Sequence, residues 1–247
     1  MKIIIISVCV FLLFFIICFY GIKPLIHSHS EKISIAMTGR STMQLWFKHW
    51  NWPYPLRIKT TYKNWPIKYE KYSWNNLFLE YHGISGPKSN SADKPFGHDM
   101  LNDFESVLDS KKYDIAFFKY CFVDFKVKED TTEQRYNNLI KTVKDAYKAT
   151  QKRGMKMIAG TALPLTNSND ATVQLQKRYN TWLTEFSETK NDLYVFDLYT
   201  PLVDDNGKLK AELERGDGDP HFNDKAYSIL DKSFFDKIHD WLTEGQK

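Results

Sequence analysis

Hydrophobic positions are distributed very unevenly along the chain. Positions 3–22 are apolar apart from Ser7 and Gly21. About 20 apolar residues is the length at which a helix crosses the hydrocarbon core of a bilayer. Lys2 precedes the run, and Lys23-Pro24 follow it. A cleaved signal peptide and an uncleaved anchor compete for this segment. A signal peptide's apolar region is about 7–15 residues long and ends in small residues. Here the run is longer and closes on Ile17-Cys18-Phe19-Tyr20-Gly21. That end offers no small-residue cleavage site, and Ile17 is too large for a lipoprotein site at Cys18. The anchor is the favoured reading. Residues 1–23 are then the membrane anchor or signal segment, 24–31 a polar juxtamembrane spacer, and 32–247 a domain. The positive-inside bias puts the N-terminus in the cytoplasm. Under either reading the domain lies outside the cytoplasm, periplasmic or at the cell surface.

Past residue 31 the pattern alternates between short apolar runs and longer amphipathic ones. The short runs read as strands at 32–38 (KISIAMT), 56–62 (LRIKTTY), 77–81 (LFLEY), 113–118 (YDIAFF), 155–161 (MKMIAGT) and 193–198 (LYVFDL). Apolar residues recur at helical spacing over 98–110, 133–152, 171–187 and 224–242, with Asn223 placed to cap the last. Strands separated by helices imply parallel pairing. The expected fold is a three-layer α/β/α sandwich with a mainly parallel sheet. Ligand sites in such sheets lie beyond the carboxyl ends of the strands, which singles out the loops after residues 38, 81, 118, 161 and 198. About 220 residues is enough for one sizeable core.

Two of these loops carry the chemistry. The first reads Thr38-Gly39-Arg40-Ser41 and precedes a predicted helix. The glycine permits a sharp turn, and backbone N–H groups at a helix start can receive an oxyanion. Alone, Ser41 reads as a helix N-cap. The last loop is Gly216-Asp217-Gly218-Asp219-Pro220-His221-Phe222-Asn223. A histidine can take the serine proton, and a carboxylate beside it can hold the imidazole tautomer. A Ca²⁺ loop would require more oxygen ligands at regular spacing, so no metal and no cofactor is assigned.

Taken together, the two loops resemble the SGNH/GDSL hydrolases. In that family a Gly-x-Ser block follows the first strand, and an Asp and a His lie together near the C-terminus. Gly39-Arg40-Ser41 and Asp219-Pro220-His221 match these two blocks. Ile84-Ser85-Gly86 resembles the second family block, whose glycine donates to the oxyanion hole. The resemblance spans residues 32 to about 242. It implies Ser41 as nucleophile, His221 as general base and acid, Asp219 as orienter, and the Ser41 and Gly86 N–H groups as the hole. Asp217 is the alternative acid.

Three departures stand out. Arg40 occupies the place of the family's Asp. Asp-x-His is shorter than the usual Asp-x-x-His and resembles the alginate O-acetylation branch. The loop Lys119-Tyr120-Cys121-Phe122-Val123-Asp124 lacks the family's oxyanion-hole Asn, leaving Lys119 or a backbone N–H as the substitute.

Composition adds less. A net charge of +4 is too small to argue for nucleic acid. Cys9 and Cys18 fall in the apolar run, so Cys121 stands alone and the domain has no internal disulfide. That is compatible with a bacterial envelope protein. Residues 46–74 hold Trp46, Trp50, Trp52, Trp65 and Trp74 and six Lys/Arg against one acid, Glu70. This stretch reads as a substrate platform of Trp46, Trp50 and Trp52 with Lys119, as core packing of the same tryptophans, or as contact with anionic headgroups. The expected activity is a membrane-tethered serine esterase acting on a carboxylic ester, either O-acetyl groups on envelope polysaccharide or lipid acyl chains. An O-acetyltransferase and a non-catalytic glycan-binding or assembly protein on the same scaffold are the alternatives.

Overall fold

The computed structural model describes residues 33–51, 66–68, 77–87, 95–216 and 219–244. The apolar run at 3–22, the spacer at 24–31, the expected strand at 56–62, Trp52 and Asp217 lie outside them. Among the described residues, no helix is long and apolar enough to cross a membrane.

In chain order the first elements are β1 (Ile33–Gly39), α1 (Ser41–Asn51), β2 (Pro66–Lys68), β3 (Leu77–Gly83), α2 (His98–Ser110) and β4 (Ile115–Phe118). Then come α3 (Thr132–Gln151), β5 (Lys156–Gly160), α4 (Asp170–Glu188), β6 (Leu193–Phe196), β7 (Glu214–Gly216), β8 (Asp219–Phe222) and α5 (Asp224–Glu244). The main sheet runs β2-β3-β1-β4-β5-β6. All its pairings are parallel except β2 with β3, which is antiparallel. The expected α/β sandwich is present. The edge strand β2 was not anticipated, and β7–β8 form a separate antiparallel ribbon where the sequence reads as loop.

Alternation along the strands builds the two cores. Ile35 and Met37 of β1, Phe117 of β4 and Ile158 of β5 face one side, with Trp46 of α1 and Phe234 of α5. Ala36, Phe118, Met157 and Ala159 face the other, against Phe104 of α2, Leu139 of α3 and Leu175 of α4. Period-two strands buried on both faces read as near-continuous apolar runs, as IAFF in β4 does.

The strand order sets the position of the site. From β1 the chain goes to β3 on one side, then back to β4 on the other. A crevice therefore opens at the C-terminal end of β1, between the loops after β3 and β4. Gly39 pairs with Gly83, and the Ile84 N–H donates to the Gly39 carbonyl at 3.1 Å, so the loop after β3 runs beside the start of α1.

Candidate active site

Ser41 is the first residue of α1. The Arg40 carbonyl accepts from the Met43 and Gln44 N–H groups at 2.9 and 3.1 Å. Arg40, not Ser41, is therefore the residue before the first helical turn, which corrects the N-cap reading. Gly39 also has a different reason from the expected turn. It does not adopt a left-handed φ. Instead, a Cβ there would lie 2.7 Å from Met43 Cβ. The glycine lets the helix begin directly above the strand end.

The Ser41 hydroxyl meets the histidine from the far end of the chain. Ser41 Oγ and His221 Nε2 are 2.8 Å apart. His221 Nδ1 lies 2.5 Å from Asp219 Oδ1, and the His221 backbone N–H donates to the same oxygen at 3.1 Å. These bonds, the His221 contacts first, hold the Asp219 carboxyl below its ordinary pKa, with Arg215 adding a smaller pull. The acid therefore stays ionised, as an acceptor from Nδ1–H must. The ring of Phe122 packs edge-on against the imidazole, with centroids 5.6 Å apart. Ser41, Asp219 and His221 are thus brought together.

The ribbon explains how so short a loop is held. Asp219 pairs with Gly216, whose φ of 92° suits glycine alone. Asn223 then anchors the exit. Its Nδ2 donates to the Glu212 and Glu214 carbonyls at 2.8 and 3.0 Å, and its Oδ1 accepts from the Ala226 N–H at 3.1 Å. The sequence reading had only the last of these roles.

The expected oxyanion donors lie on the loops lining the same crevice. Among the described residues, neither the Ser41 nor the Gly86 N–H has an acceptor. The neighbouring Ser85 N–H is held by Asp103 Oδ2 at 2.7 Å, which pins this loop to α2. In the loop after β4, Asp124 accepts the Cys121 N–H at 2.8 Å and pairs with the Arg40 guanidinium. Burial pushes the Asp124 carboxyl up, against the pull of Arg40.

The platform reading needs two corrections. Trp46 is 1 % exposed and stacks on Phe196 at 6.0 Å, with its indole N–H donating to Asp231 at 2.6 Å. It belongs to the core because α1 must bury its apolar stripe on the sheet. Lys119 is 2 % exposed, and its ammonium donates to Thr42 Oγ1 at 2.8 Å. It sits beneath the start of α1, out of the crevice. Trp50 lies on α1, but its side chain, like all of Trp52, is outside the described residues. Cys121 is a free, buried thiol.

No protein-family model and no curated protein sequence matches the chain. Solved structures do. A GDSL-like lipase from Bacteroides thetaiotaomicron superposes with a TM-score of 0.56 at 15 % identity, covering 84 % of this chain and 88 % of that one. A carbohydrate esterase family 3 protein from Talaromyces cellulolyticus gives 0.53 at 11 % identity, covering 86 % and 99 %. The carbohydrate acetylesterase Est24 from Sinorhizobium meliloti gives 0.53 at 13 % identity, covering 85 % and 99 %. At these identities the likeness is one of architecture, and the chain has the fold of the SGNH/GDSL hydrolases.

Proposed function

We propose that this chain is a serine ester hydrolase removing O-acetyl groups from envelope polysaccharide, tethered to the membrane with its domain outside the cytoplasm. The observation that carries the reading is the continuous line of hydrogen-bond contacts Ser41–His221–Asp219, with separations of 2.8 and 2.5 Å. In this reading Ser41 Oγ attacks the ester carbonyl while its proton passes to His221 Nε2. The carbonyl oxygen becomes an oxyanion facing the Ser41 and Gly86 N–H groups. Collapse expels the alcohol, which takes the proton from His221, and leaves an acyl-serine. Water, deprotonated by His221, then releases the acid and restores the hydroxyl. Asp219 accepts from Nδ1–H throughout and stabilises the imidazolium.

Two similar folds named as a carbohydrate esterase and a carbohydrate acetylesterase support the sugar-ester class. The apolar run at 3–22 supports the tether.

The test is a serine-directed fluorophosphonate applied to the purified full-length chain. Labelling that disappears in Ser41→Ala and His221→Ala is expected. A folded wild-type protein that is never labelled sinks the reading. Product analysis with a glycan acceptor present separates water from sugar hydroxyl as the acyl acceptor. Resistance of the membrane-bound chain to carbonate extraction, with the domain open to externally added protease, checks the tether.

A further inference from the structure

We infer that Arg40 is the third oxyanion donor, a guanidinium standing where the loop after β4 has no amide side chain to offer; this rests on the esterase reading above. Two other donors near that place are already committed. The Cys121 N–H is held by Asp124 at 2.8 Å. The Lys119 ammonium is buried and held by Thr42 Oγ1 at 2.8 Å and the Tyr120 carbonyl at 3.4 Å. These two donors point inward, away from the crevice.

Arg40 has the reach, the anchor and the opening. It is bonded directly to Ser41. Its Nη2 is fixed by the Asp124 carboxylate, which sets the plane of the guanidinium. Its Nη1 lies over Gly86: a Cβ built on that glycine would be 2.8 Å from Nη1 and 3.3 Å from Cζ. The Arg40 side chain keeps 28 % of its surface exposed, whereas Asp124 keeps 5 %. The pair thus has a buried acidic end and a cationic end that still meets solvent.

The distances admit a shared oxygen. A backbone nitrogen lies about 2.5 Å from its own Cβ position, by standard bond lengths and angles. Nη1 is therefore within about 5.3 Å of the Gly86 nitrogen. Two hydrogen bonds of about 2.9 Å to one oxygen span up to about 5.8 Å. By distance, one oxygen is within reach of both the Gly86 N–H and Arg40 Nη1. Being charged, the guanidinium gains more from a developing oxyanion than a neutral amide would. This also accounts for glycine at position 86, since any side chain would push Nη1 off this position.

The experiment measures fluorophosphonate labelling rate, p-nitrophenyl acetate turnover and inhibition by phenylboronic acid, whose serine adduct carries the tetrahedral negative charge. The chains are full-length wild type, Arg40→Met, Arg40→Lys and Gly86→Ala. Arg40→Met is expected to lose roughly 10²–10³-fold in labelling and kcat, the scale of one lost donor. Boronate affinity should fall in parallel while KM stays near wild type. Arg40→Lys, which keeps the charge without the fork, should fall between. Gly86→Ala, which displaces Nη1 and leaves Arg40 present, should resemble Arg40→Met. Should Arg40→Met not fold, the last two variants decide. A merely structural Arg40 would lower the melting temperature without weakening boronate relative to ester binding, and that result overturns the proposal. Labelling of Arg40→Met at the wild-type rate overturns it while leaving the triad standing. An unlabelled, folded wild type overturns both readings.

Discussion

Replacing Lys119 by methionine should stabilise the protein at neutral pH and cease to do so in alkali. The ammonium is fully enclosed beneath the start of α1, and burial, only partly offset by Cys121 and Asp124, depresses its pKa from 10.5 to about 8. In the unfolded chain the amine returns to the ordinary lysine range. Below pH 8 both states are protonated, and the native state carries the full cost of the buried charge. The depression corresponds to about 3 kcal/mol, at roughly 1.4 kcal/mol per pH unit. Between pH 8 and 10.5 the native state sheds its proton while the unfolded state keeps it, so wild-type stability rises through that window.

Methionine fills nearly the same volume without the charge. It forfeits the bond to Thr42 Oγ1, worth about 1 kcal/mol. The net gain at pH 7 is about 2 kcal/mol, or about 4–8 °C for a chain of this size. Near pH 10.5 the charge penalty has gone and only the lost hydrogen bond remains, so the variant should be the less stable by about 1 kcal/mol. Guanidinium denaturation of both full-length proteins at the two pH values measures this. The difference between them is the quantity to follow, because tyrosines and other lysines titrate in the same range. A variant less stable than wild type at pH 7, or a difference that stays flat with pH, refutes the reasoning. Turnover should fall in the variant even as stability rises, because Thr42 adjoins Ser41 and loses its tie to the loop after β4.

Asn223→Ala removes a helix cap and both ties that hold the exit of the β7–β8 ribbon. It should cost about 1–2 kcal/mol in a thermal melt and should slow fluorophosphonate labelling beyond what the lost stability explains, because His221 lies two residues away. His49 is buried between Asp231 and Asp224, at 3.3 and 3.4 Å. Burial opposes its charge, but the two carboxylates outweigh it and raise its pKa. Its contribution to stability is therefore full below the unfolded value of about 6.5 and is lost as pH rises through the higher folded value. In His49→Gln, melts from about pH 6 to pH 8 should show a deficit in acid that shrinks toward alkali. Trp46→Phe leaves the buried Asp231 without its 2.6 Å donor and should cost about 1–3 kcal/mol with KM unchanged. A raised KM with an unchanged melt would restore the platform reading.

The legible parts of this chain are those in which one local pattern has one tertiary consequence. Alternating β1, the continuous apolar run of β4 and the helical stripes of α3 and α4 each demand burial on a defined face, so the sandwich follows. The pairing of Ser41 with His221 was legible for a related reason. Parallel strands put all their C-terminal loops on one edge, so two loops 180 positions apart become neighbours. The Trp-rich stretch was not legible, because a tryptophan on an amphipathic helix shows the same spacing whether it packs inward or meets a ligand. Only the sheet beneath α1, with Phe117 and Phe196 in place, decides that Trp46 turns inward.

Residues 219–222 show the opposite difficulty. DPHF has neither alternation nor strand-forming composition, so its strand exists because β7 and Asn223 hold it, not because its sequence asks for it. Gly39 sharpens the point. The residue was singled out correctly but for a turn, whereas its role is the absence of a Cβ that would strike Met43. A glycine signals that something comes close; what comes close is settled by parts of the chain the local pattern does not contain. Gly86 is the same case with chemistry attached, since what approaches it is the Arg40 guanidinium. At both positions, one closing β1 and one in the loop after β3, the glycine marks where another group needs its space.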